Sequence, residues 1–434
     1  MTENKLKIVL APMNIANMPM VIVNKLKERG YEAEQVHYNL GDGHPLGYPL
    51  DRSVNFKALG GRTKAQITIL KEYLERDFDI FHFWNKSLFY KADVSLMSGL
   101  DIPLIKARGK KIIHRFTGFD LRTSSKDLAF NPYSPFRYGY VSKVPEEAIL
   151  RYIDFLHEYV DQFLVQDPEL QQFCSEAKII PRALALNDYK FVGIKKNDVP
   201  LIVHAPTDKI CKGSNFILKA LEELKNEGLK FELKLIQGMS HQKAAQIYRN
   251  SDIIIDQILI GAPGVFTLEA MALGKPVIAN LREDLFSCVY GNEMPVANAN
   301  PVNIKQVIKK LVQDYEWRKH LSTFGRKIVE KHHDIDLVID DFIDTYQSVM
   351  HKSSHLPKTY KDLDYLGWQT NQCEQTLSKL IRANQSIQKL NEEIKHFKTT
   401  DTFLTADKPF KKKRRFKSPL KILKNKLNFL KISH

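Results

Sequence analysis

The chain has 434 residues, 43% of them hydrophobic and 10% aromatic, which indicates a folded protein of two or more globular domains. Its net charge is +15, but eleven Lys and Arg residues lie within 408–434, where there is no Asp or Glu. These eleven charges leave +4 for the other 407 residues, so the basic character belongs to a tail and we expect no nucleic-acid partner. The four cysteines form no CxxC pair, which argues against a zinc ribbon or a disulfide framework.

Short apolar runs alternate with amphipathic helical segments through the first half of the chain. Such alternation predicts parallel βαβ units. The N-terminus enters its first strand directly, and no apolar run approaches the length of a bilayer span, so we expect neither a secretion signal nor a membrane-spanning helix. The predicted strands are KLKIVLAP (5–12), YEAEQVHY (31–38), FDIFHFW (78–84), KKIIHRF (110–116) and DQFLVQD (161–167), the last of this half.

A second series of alternating elements begins near residue 198. It predicts a second α/β sheet, followed by residues 301–350 as helix throughout. We therefore predict two Rossmann-like parallel-sheet domains, at 1–190 and 198–335, and a helix over 336–354 that crosses back to the first domain. The predicted strands of the second domain are VPLIVHAP (199–206), KFELKLIQG (230–238), SDIIIDQI (251–258) and KPVIAN (275–280).

The character of the sequence changes near residue 355. Within the helical extension 355–400, apolar and small residues follow a 3–4 spacing from Cys373 to Phe397, which predicts either a coiled coil that forms a homo-oligomer or one amphipathic helix packed on the body. The tail 401–434 combines the basic run with Leu420, Leu423, Leu427 and Leu430 on one helical face. A basic amphipathic helix of this kind binds anionic membrane surfaces, and the alternative is a solvated tail.

Glu269 lies in the apolar segment GVFTLEAMALG (264–274), where a charge is hard to solvate. Parallel α/β sheets bind ligands beyond the carboxyl ends of their strands, where the next helix begins. The start of this helix offers free N–H groups to a phosphate. A carboxylate one turn further along can accept hydrogen bonds from two vicinal hydroxyls of a ribose, although it can also cap neighbouring backbone.

These residues carry a family resemblance. The segment GVFTLEAMALGKPVIAN (264–280) resembles the nucleotide-sugar signature of the retaining glycosyltransferases of family 4, which have the GT-B fold, and HAPTDKICKGSNFILKAL (204–221) resembles the basic segment of the same family. FDIFHFWNKSL (78–88) and HRFTGFDLR (114–122) are similar to its acceptor-domain segments, and QDPELQQFCSEAKIIPRALALNDY (166–189) resembles its crossing into the second domain.

The resemblance implies a donor site for a nucleoside diphosphate sugar in the second domain. Lys209 stands where the family has an Arg, and Lys212 matches its Lys; both would neutralise the diphosphate, while Glu269 would hold the ribose. The family usually has a second Glu, which contacts the donor sugar, at the position of Gly261. Sugar contacts must then come from elsewhere, such as the backbone of 263–265, Asp256 or Gln257. The donor-side candidates are Lys209, Lys212, Gly261, Pro263, Gly264, Val265, Glu269, Gln237 and His204.

The acceptor-side candidates follow the strands of the first domain. His82 is the preferred hydrogen-bonding residue near the reacting centre, although a packed histidine is the alternative. At Gly118, which has no side chain, the backbone could approach the ligand closely, and Asp120 would bind a hydroxyl of the ligand. Arg122 either belongs to the site or forms an ion pair with Asp120. His114 is expected in the core. Asn14 and Asn17 lie in the first loop, which lacks the glycines of a dinucleotide fingerprint.

The sequence therefore predicts a metal-independent glycosyltransferase without a cofactor, in which Lys212, Glu269, His82 and Asp120 are the catalytic candidates. The resemblance implies transfer with retention to a glycan or lipid-linked acceptor, as in surface polysaccharide biosynthesis, and the tail suggests the inner face of the cell membrane. An alternative is a catalytically silent homologue that acts as a membrane- or partner-binding scaffold. The presence of Gly261, where the family usually has a glutamate, favours this alternative. A sugar-nucleotide epimerase or a phosphorylase is a further alternative, although no lysine-cofactor signature supports the phosphorylase.

Overall fold

The computed structural model describes residues 5–39, 44, 46–90, 98–239 and 241–353, together with scattered positions from 369 to 393. Residues Met1–Cys373 form one compact unit that contains two separate parallel sheets, which confirms the predicted α/β class. Helices pack against both faces of each sheet, which explains why the central strands read as continuous apolar runs.

The N-terminal sheet has seven parallel strands in the order β3-β2-β1-β4-β5-β6-β7. Two of them were not predicted. The sequence RSVN of β3 has no apolar run, and β7 is only two residues long, so neither carries a periodic signal. The strands are β1 (Lys7–Ala11), β2 (Glu32–Asn39), β3 (Arg52–Asn55), β4 (Ile80–Trp84), β5 (Lys111–Arg115), β6 (Gln162–Val165) and β7 (Lys178–Ile179).

In the described residues of this domain, six helices connect the strands. Helix α1 carries its apolar residues, such as Ile22, Val23 and Leu26, on the face that packs against the sheet. Asp167 caps α6 by accepting a hydrogen bond from Leu170 N. The helices are α1 (Met18–Glu28), α2 (Arg62–Glu75), α3 (Asp101–Ala107), α4 (Ser124–Phe130), α5 (Glu146–His157) and α6 (Pro168–Gln171), with 3-10 turns at Ile15–Asn17, Pro135–Tyr138 and Leu186–Asp188.

The C-terminal sheet has five parallel strands in the order β12-β11-β10-β8-β9. Because β10 lies between β8 and β11, the carboxyl ends of these strands meet at one edge, which is where the donor site is predicted. The strands are β8 (Leu201–His204), β9 (Glu232–Leu235), β10 (Ile253–Ile255), β11 (Val277–Ala279) and β12 (Ala297–Asn298). The helices are α7 (Lys209–Lys212), α8 (Ser214–Asn226), α9 (His241–Asn250), α10 (Val265–Ala272) and α11 (Glu283–Tyr290).

The segment predicted as continuous helix over 301–350 consists of three helices, α12 (Ile304–Gln313), α13 (Tyr315–His332) and α14 (Ile335–His351). Each break lies at an aspartate that caps the next helix, since Asp314 accepts from Trp317 N and Asp334 from Asp336 N. Helix α14 packs against α1 of the N-terminal domain.

Most of the predicted extension lies outside the described residues. The described positions between 369 and 393 are helical, and Ala383 is the one member of the predicted seam among them; it is exposed. The tail 401–434, with its predicted membrane contact, lies wholly outside the described part. No helix of the described residues has the length and apolar character that crossing a membrane requires.

Candidate active site

Lys212 lies at the carboxyl edge of the C-terminal sheet. Its ammonium is 2.5 Å from Asp256 Oδ1 and 3.1 Å from Gln257 Oε1, both directly after β10. Asp256 is almost fully buried, and its other oxygen accepts a hydrogen bond from Thr267 Oγ1 of α10 at 2.7 Å. The ammonium is thereby held next to the start of α10, which begins at Val265. A cation and a helix N-terminus thus lie side by side at one edge of the sheet.

The local sequence explains why Lys212 reaches this edge. Asp208 caps α7 by accepting a hydrogen bond from Cys211 N at 2.8 Å. Gly213 then adopts a positive φ of +76° between α7 and α8, and a Cβ there would lie 2.6 Å from Ile258 Cγ1. Only glycine satisfies both conditions. The turn holds Lys212 over the strand ends, whereas Lys209, at the start of α7, is exposed.

Glu269 is 6% exposed, and its Oε1 accepts a hydrogen bond from Tyr189 Oη at 2.7 Å. Burial together with the Glu269 charge raises the pKa of three tyrosines, Tyr48, Tyr189 and Tyr248. Glu269 lies two residues after Thr267 on α10, and Thr267 donates to the Asp256 carboxylate that holds Lys212. The helix that carries Glu269 is therefore joined to Lys212 through Asp256.

The tyrosines come from three parts of the chain and were not among the predicted site residues. Tyr48 belongs to a loop of the N-terminal domain, Tyr189 to the crossing between the domains and Tyr248 to α9. Tyr189 ends the crossing segment that resembles the glycosyltransferase family, which was the one available signal for it. For Tyr48 no motif offered a signal.

The connection from β10 to α10 is closely packed. A Cβ at Gly264 would lie 2.8 Å from Asp256 Oδ2, so the close approach of backbone and carboxylate requires glycine here. Pro263 is buried, whereas Gly264 and Val265 are partly exposed. The start of α10 is therefore partly accessible to solvent, while Asp256 fixes it through Thr267.

Gly261 lies beneath the side chain of Arg282. A Cβ at position 261 would be 2.5 Å from Arg282 Cγ. The Arg282 guanidinium donates to Gln172 Oε1 of the N-terminal domain at 3.1 Å and pairs with Asp284. Arg282, in the segment after β11, thus fills the space next to Gly261, the position at which the family that this sequence resembles usually has a glutamate.

His204 and Gln237 differ in their surroundings. His204 is fully buried, with Nδ1 2.8 Å from Ile255 O and Nε2 2.8 Å from Ser214 Oγ. Burial lowers the pKa of this histidine, and both ring nitrogens are used within the domain. Gln237 is exposed beyond the end of β9. The structure brings Lys212, Gly264 and the helix of Glu269 together at Asp256. His204 lies in the interior, bonded to Ile255 directly before Asp256, and both of its ring nitrogens are occupied.

On the acceptor side, His82 is fully buried in the N-terminal domain. Its Nδ1 lies 2.9 Å from Tyr346 Oη of α14, and its ring packs near Trp84 and Phe342. Burial and the charge of Arg115 lower the pKa of His82 well below its usual value, so the ring is neutral. The side chain lies between the sheet and α14. His114 is fully buried, as predicted.

Asp120 and Arg122 have separate partners. Asp120 accepts hydrogen bonds from the backbone N–H groups of Thr117 at 3.0 Å and Gly118 at 2.6 Å, so it closes the turn after β5. Arg122 does not pair with Asp120. Its guanidinium donates to both carboxylate oxygens of the buried Glu169, at 3.2 Å and 2.5 Å.

Asn14 and Asn17 support the loop that carries Tyr48. The buried Asn14 Nδ2 donates to Pro49 O at 3.0 Å and to Asn17 Oδ1 at 3.2 Å. Asn17 adopts a positive φ of +63° as the residue before α1. The first loop of the N-terminal domain therefore holds the segment that brings an aromatic ring towards Glu269.

The region after Asp120 also contacts the C-terminal domain. Asn131 Nδ2 donates to Leu259 O at 2.7 Å, and the rings of Tyr138 and Phe216 lie 4.9 Å apart. A cavity of about 390 Å³ adjoins this contact, with Arg122, Phe136, Tyr140 and Glu146 in its wall. In the parts of the chain that the structure describes, no group of three or more His, Cys, Asp or Glu residues is arranged to hold a metal ion.

Comparisons with known proteins concern the fold. No family model and no curated protein matches the sequence. The chain is similar to the sucrose-phosphate synthase of Thermosynechococcus elongatus, with 13% identity and a TM-score of 0.57 over 80% of this chain and 100% of that one. It is also similar to the catalytic domain of Starch Synthase IV from Arabidopsis thaliana, with 11% identity and a TM-score of 0.53 over 80% and 100%. The chain has the GT-B fold of two Rossmann-like parallel-sheet domains.

Proposed function

We propose that this protein is a glycosyltransferase that uses a nucleoside diphosphate sugar. The observation that carries the proposal is the position of the Lys212 ammonium, 2.5 Å from Asp256 at the end of β10 and next to the start of α10. A cation beside a helix N-terminus suits a diphosphate, because both favour negative charge. Glu269, one turn further along α10, suits the ribose.

The diphosphate is the part of the donor on which negative charge grows as the glycosidic bond breaks. Fixed positive groups stabilise that charge more in the transition state than in the bound donor, which accelerates the reaction. Lys212 and the N–H groups of Gly264 and Val265 would take this role, and Lys209 would add a second cation from α7. Asp256 holds Lys212 in position before the donor arrives. We propose transfer with retention, the acceptor oxygen attacking on the leaving-group face, without a metal ion.

Glu269 would bind the ribose. An ionised carboxylate has about four lone-pair positions. Tyr189 Oη donates to Oε1 at 2.7 Å, which orients the group, and vicinal ribose hydroxyls would donate to the same carboxylate.

The acceptor would enter from the N-terminal domain. The cavity of about 390 Å³ beside Arg122 has the aromatic side chains Phe136 and Tyr140 in its wall, and aromatic faces pack well against the apolar faces of sugar rings. The 3-10 turn Pro135–Tyr138, which includes Phe136 of this wall, packs against α7, the helix that carries Lys212. A glycan or lipid-linked acceptor bound there would be close to the donor edge, as surface polysaccharide biosynthesis requires.

The tail supplies a proposed membrane contact on the inner face of the cell membrane. Eleven basic residues and an apolar stripe within 408–434 are two signals that together give stable binding to anionic lipid. Sedimentation of the full chain with vesicles of phosphatidylserine and phosphatidylcholine tests this. We expect binding that deletion of 408–434 abolishes, and equal binding by both proteins would contradict it.

The test of the enzyme proposal is release of nucleoside diphosphate from a panel of UDP-, ADP-, GDP- and dTDP-sugars. ADP is included because the similar Starch Synthase IV domain was solved with it. We expect turnover of at least one donor, abolished by Lys212→Ala and retained by Lys219→Ala, which removes an exposed lysine of α8. A chain that turns over no donor, or a Lys212→Ala variant with wild-type turnover, would contradict the proposal.

The same assay distinguishes a scaffold from an enzyme. Deleting 355–434 removes the extension and the tail but leaves both sheets. A transferase retains donor hydrolysis after this deletion. A scaffold would show no donor hydrolysis before or after it.

A further inference from the structure

Strand β9 forms one edge of the C-terminal sheet, and its outer side is exposed. It pairs with β8 alone, and all four of its residues, Glu232 to Leu235, are exposed. Two of them are large and apolar, since Leu233 is 43% exposed and Leu235 is 39% exposed. An edge strand with exposed apolar side chains is a template for pairing with another strand.

The backbone of β9 determines which groups face outward. Glu232 N donates to Pro200 O at 3.0 Å and Ile236 N donates to His204 O at 2.9 Å, so residues 232, 234 and 236 turn their N–H and C=O groups towards β8. In a parallel pair the residues between them turn the same groups away. Among the residues that the structure describes, none bonds the outward backbone groups of Phe231, Leu233 or Leu235.

The sequence FELKL (231–235) is self-complementary about its centre. If a second copy pairs antiparallel with Leu233 opposite Leu233, Glu232 lies opposite Lys234 in both directions and Phe231 lies opposite Leu235. The positions 231, 233 and 235 would form the hydrogen-bonded pairs, and these are the positions whose backbone groups face outward. The charge pattern and the backbone pattern thus select the same register.

We infer that β9 is a homodimer interface, at which two copies of this chain join their five-stranded sheets into one continuous sheet of ten strands. The contact is isologous, with a two-fold axis at Leu233. Lysine on an edge strand ordinarily prevents pairing, because it would bury a charge against the neighbouring strand. Here Glu232 of the second copy lies opposite Lys234 at the closer, non-hydrogen-bonded pair, which removes that penalty.

Charge variants test the register. Lys234→Glu places a glutamate at position 234 of each copy opposite Glu232 of the other copy, so that two like-charge pairs form. We expect the dimer of the full chain, measured by sedimentation velocity, to weaken by about 10-fold or more. The double variant Glu232→Lys/Lys234→Glu restores two opposite-charge pairs and should restore the dimer. A dimer that Lys234→Glu leaves unchanged, or that the double variant fails to restore, would overturn the inference.

Cysteine cross-linking tests the position of the axis, and does so even if the extension contributes a second contact. In the Cys288→Ser/Cys373→Ser background, Leu233→Cys brings two thiols to Cα atoms roughly 5.5 Å apart, within disulfide range. Leu235→Cys, equally exposed on the same strand, would be more than ~13 Å from its counterpart. We expect mild oxidation to give a covalent dimer for position 233 and not for 235. Equal cross-linking at both positions, or none at 233, would overturn the inference.

Discussion

Replacing Glu269 with glutamine removes the negative charge of the proposed ribose ligand while conserving its size. The carboxylate is 6% exposed and already accepts a hydrogen bond from Tyr189 Oη at 2.7 Å. Glutamine keeps one acceptor oxygen for Tyr189, but its NH₂ group can only donate. One of the two ribose hydroxyls therefore loses its acceptor.

The magnitude follows from the kind of bond that is lost. Hydrogen bonds to charged groups contribute about 1.5–3 kcal/mol, and neutral ones about 0.5–1.5 kcal/mol. Losing one charged bond and weakening another by about 1 kcal/mol costs roughly 2.5–4 kcal/mol in total, which weakens binding by about 70- to 850-fold. We expect the fold to be unaffected, since Tyr189 keeps a partner.

Calorimetric titration of the full chain with the nucleoside diphosphate that it binds measures this change. Titration of the 2′-deoxy analogue completes a double-mutant cycle. The wild type should bind this analogue more weakly than the parent nucleotide, whereas the Glu269→Gln variant should bind the two with nearly equal affinity. Glu222→Gln, on the exposed side of α8, is the matched control. Unchanged affinity in Glu269→Gln, or an equal deoxy effect in both proteins, would refute the assignment of Glu269 to the ribose.

Two further predictions concern the fold that positions the site. Burial lowers the pKa of His114 to about 3, so the neutral ring stabilises the fold above its ordinary pKa of 6.5, and this stability is lost as the pH falls from 6.5 towards 3. In urea titrations, His114→Phe should therefore gain about 2 kcal/mol relative to the wild type between about pH 7 and pH 5, and a pH-independent difference would show that His114 does not titrate in this way. Gly261→Ala should cost roughly 1–3 kcal/mol of stability, because its methyl group would lie 2.5 Å from Arg282 Cγ and force the guanidinium away from Gln172. Adding Arg282→Ala should relieve this cost, so the two changes should be non-additive, whereas additive effects would show that the contact is unimportant.

The sequence predicted the two parallel sheets because the central strands of a parallel sheet are buried on both faces and read as apolar runs. An apolar run such as 251–258 therefore predicts a strand by itself, even when the strands that pair with it are not known. The same argument fails for β7, whose two residues are too few to show a period. The three-helix division of 301–350 was missed, because the breaks depend on the capping geometry of Asp314 and Asp334.

The site was predictable only where a local motif existed. Lys212 and Glu269 each lie in a recognisable segment, but their partners come from distant positions: Asp256 is 44 residues from Lys212, and Tyr189 is 80 residues from Glu269. The pairing of Arg122 with Glu169 spans 47 residues in the same way. Nothing in the spacing of a sequence encodes such contacts, because they depend on how distant parts of the chain pack in three dimensions.

The most direct test of the proposed function is a crystal structure of the full chain soaked with a nucleoside diphosphate. We predict density for the diphosphate within hydrogen-bonding distance of Lys212 Nζ and of the first N–H groups of α10, with the ribose hydroxyls on the Glu269 carboxylate. A nucleotide bound elsewhere on the molecule, with Lys212 still paired only to Asp256 and Gln257, would contradict the account.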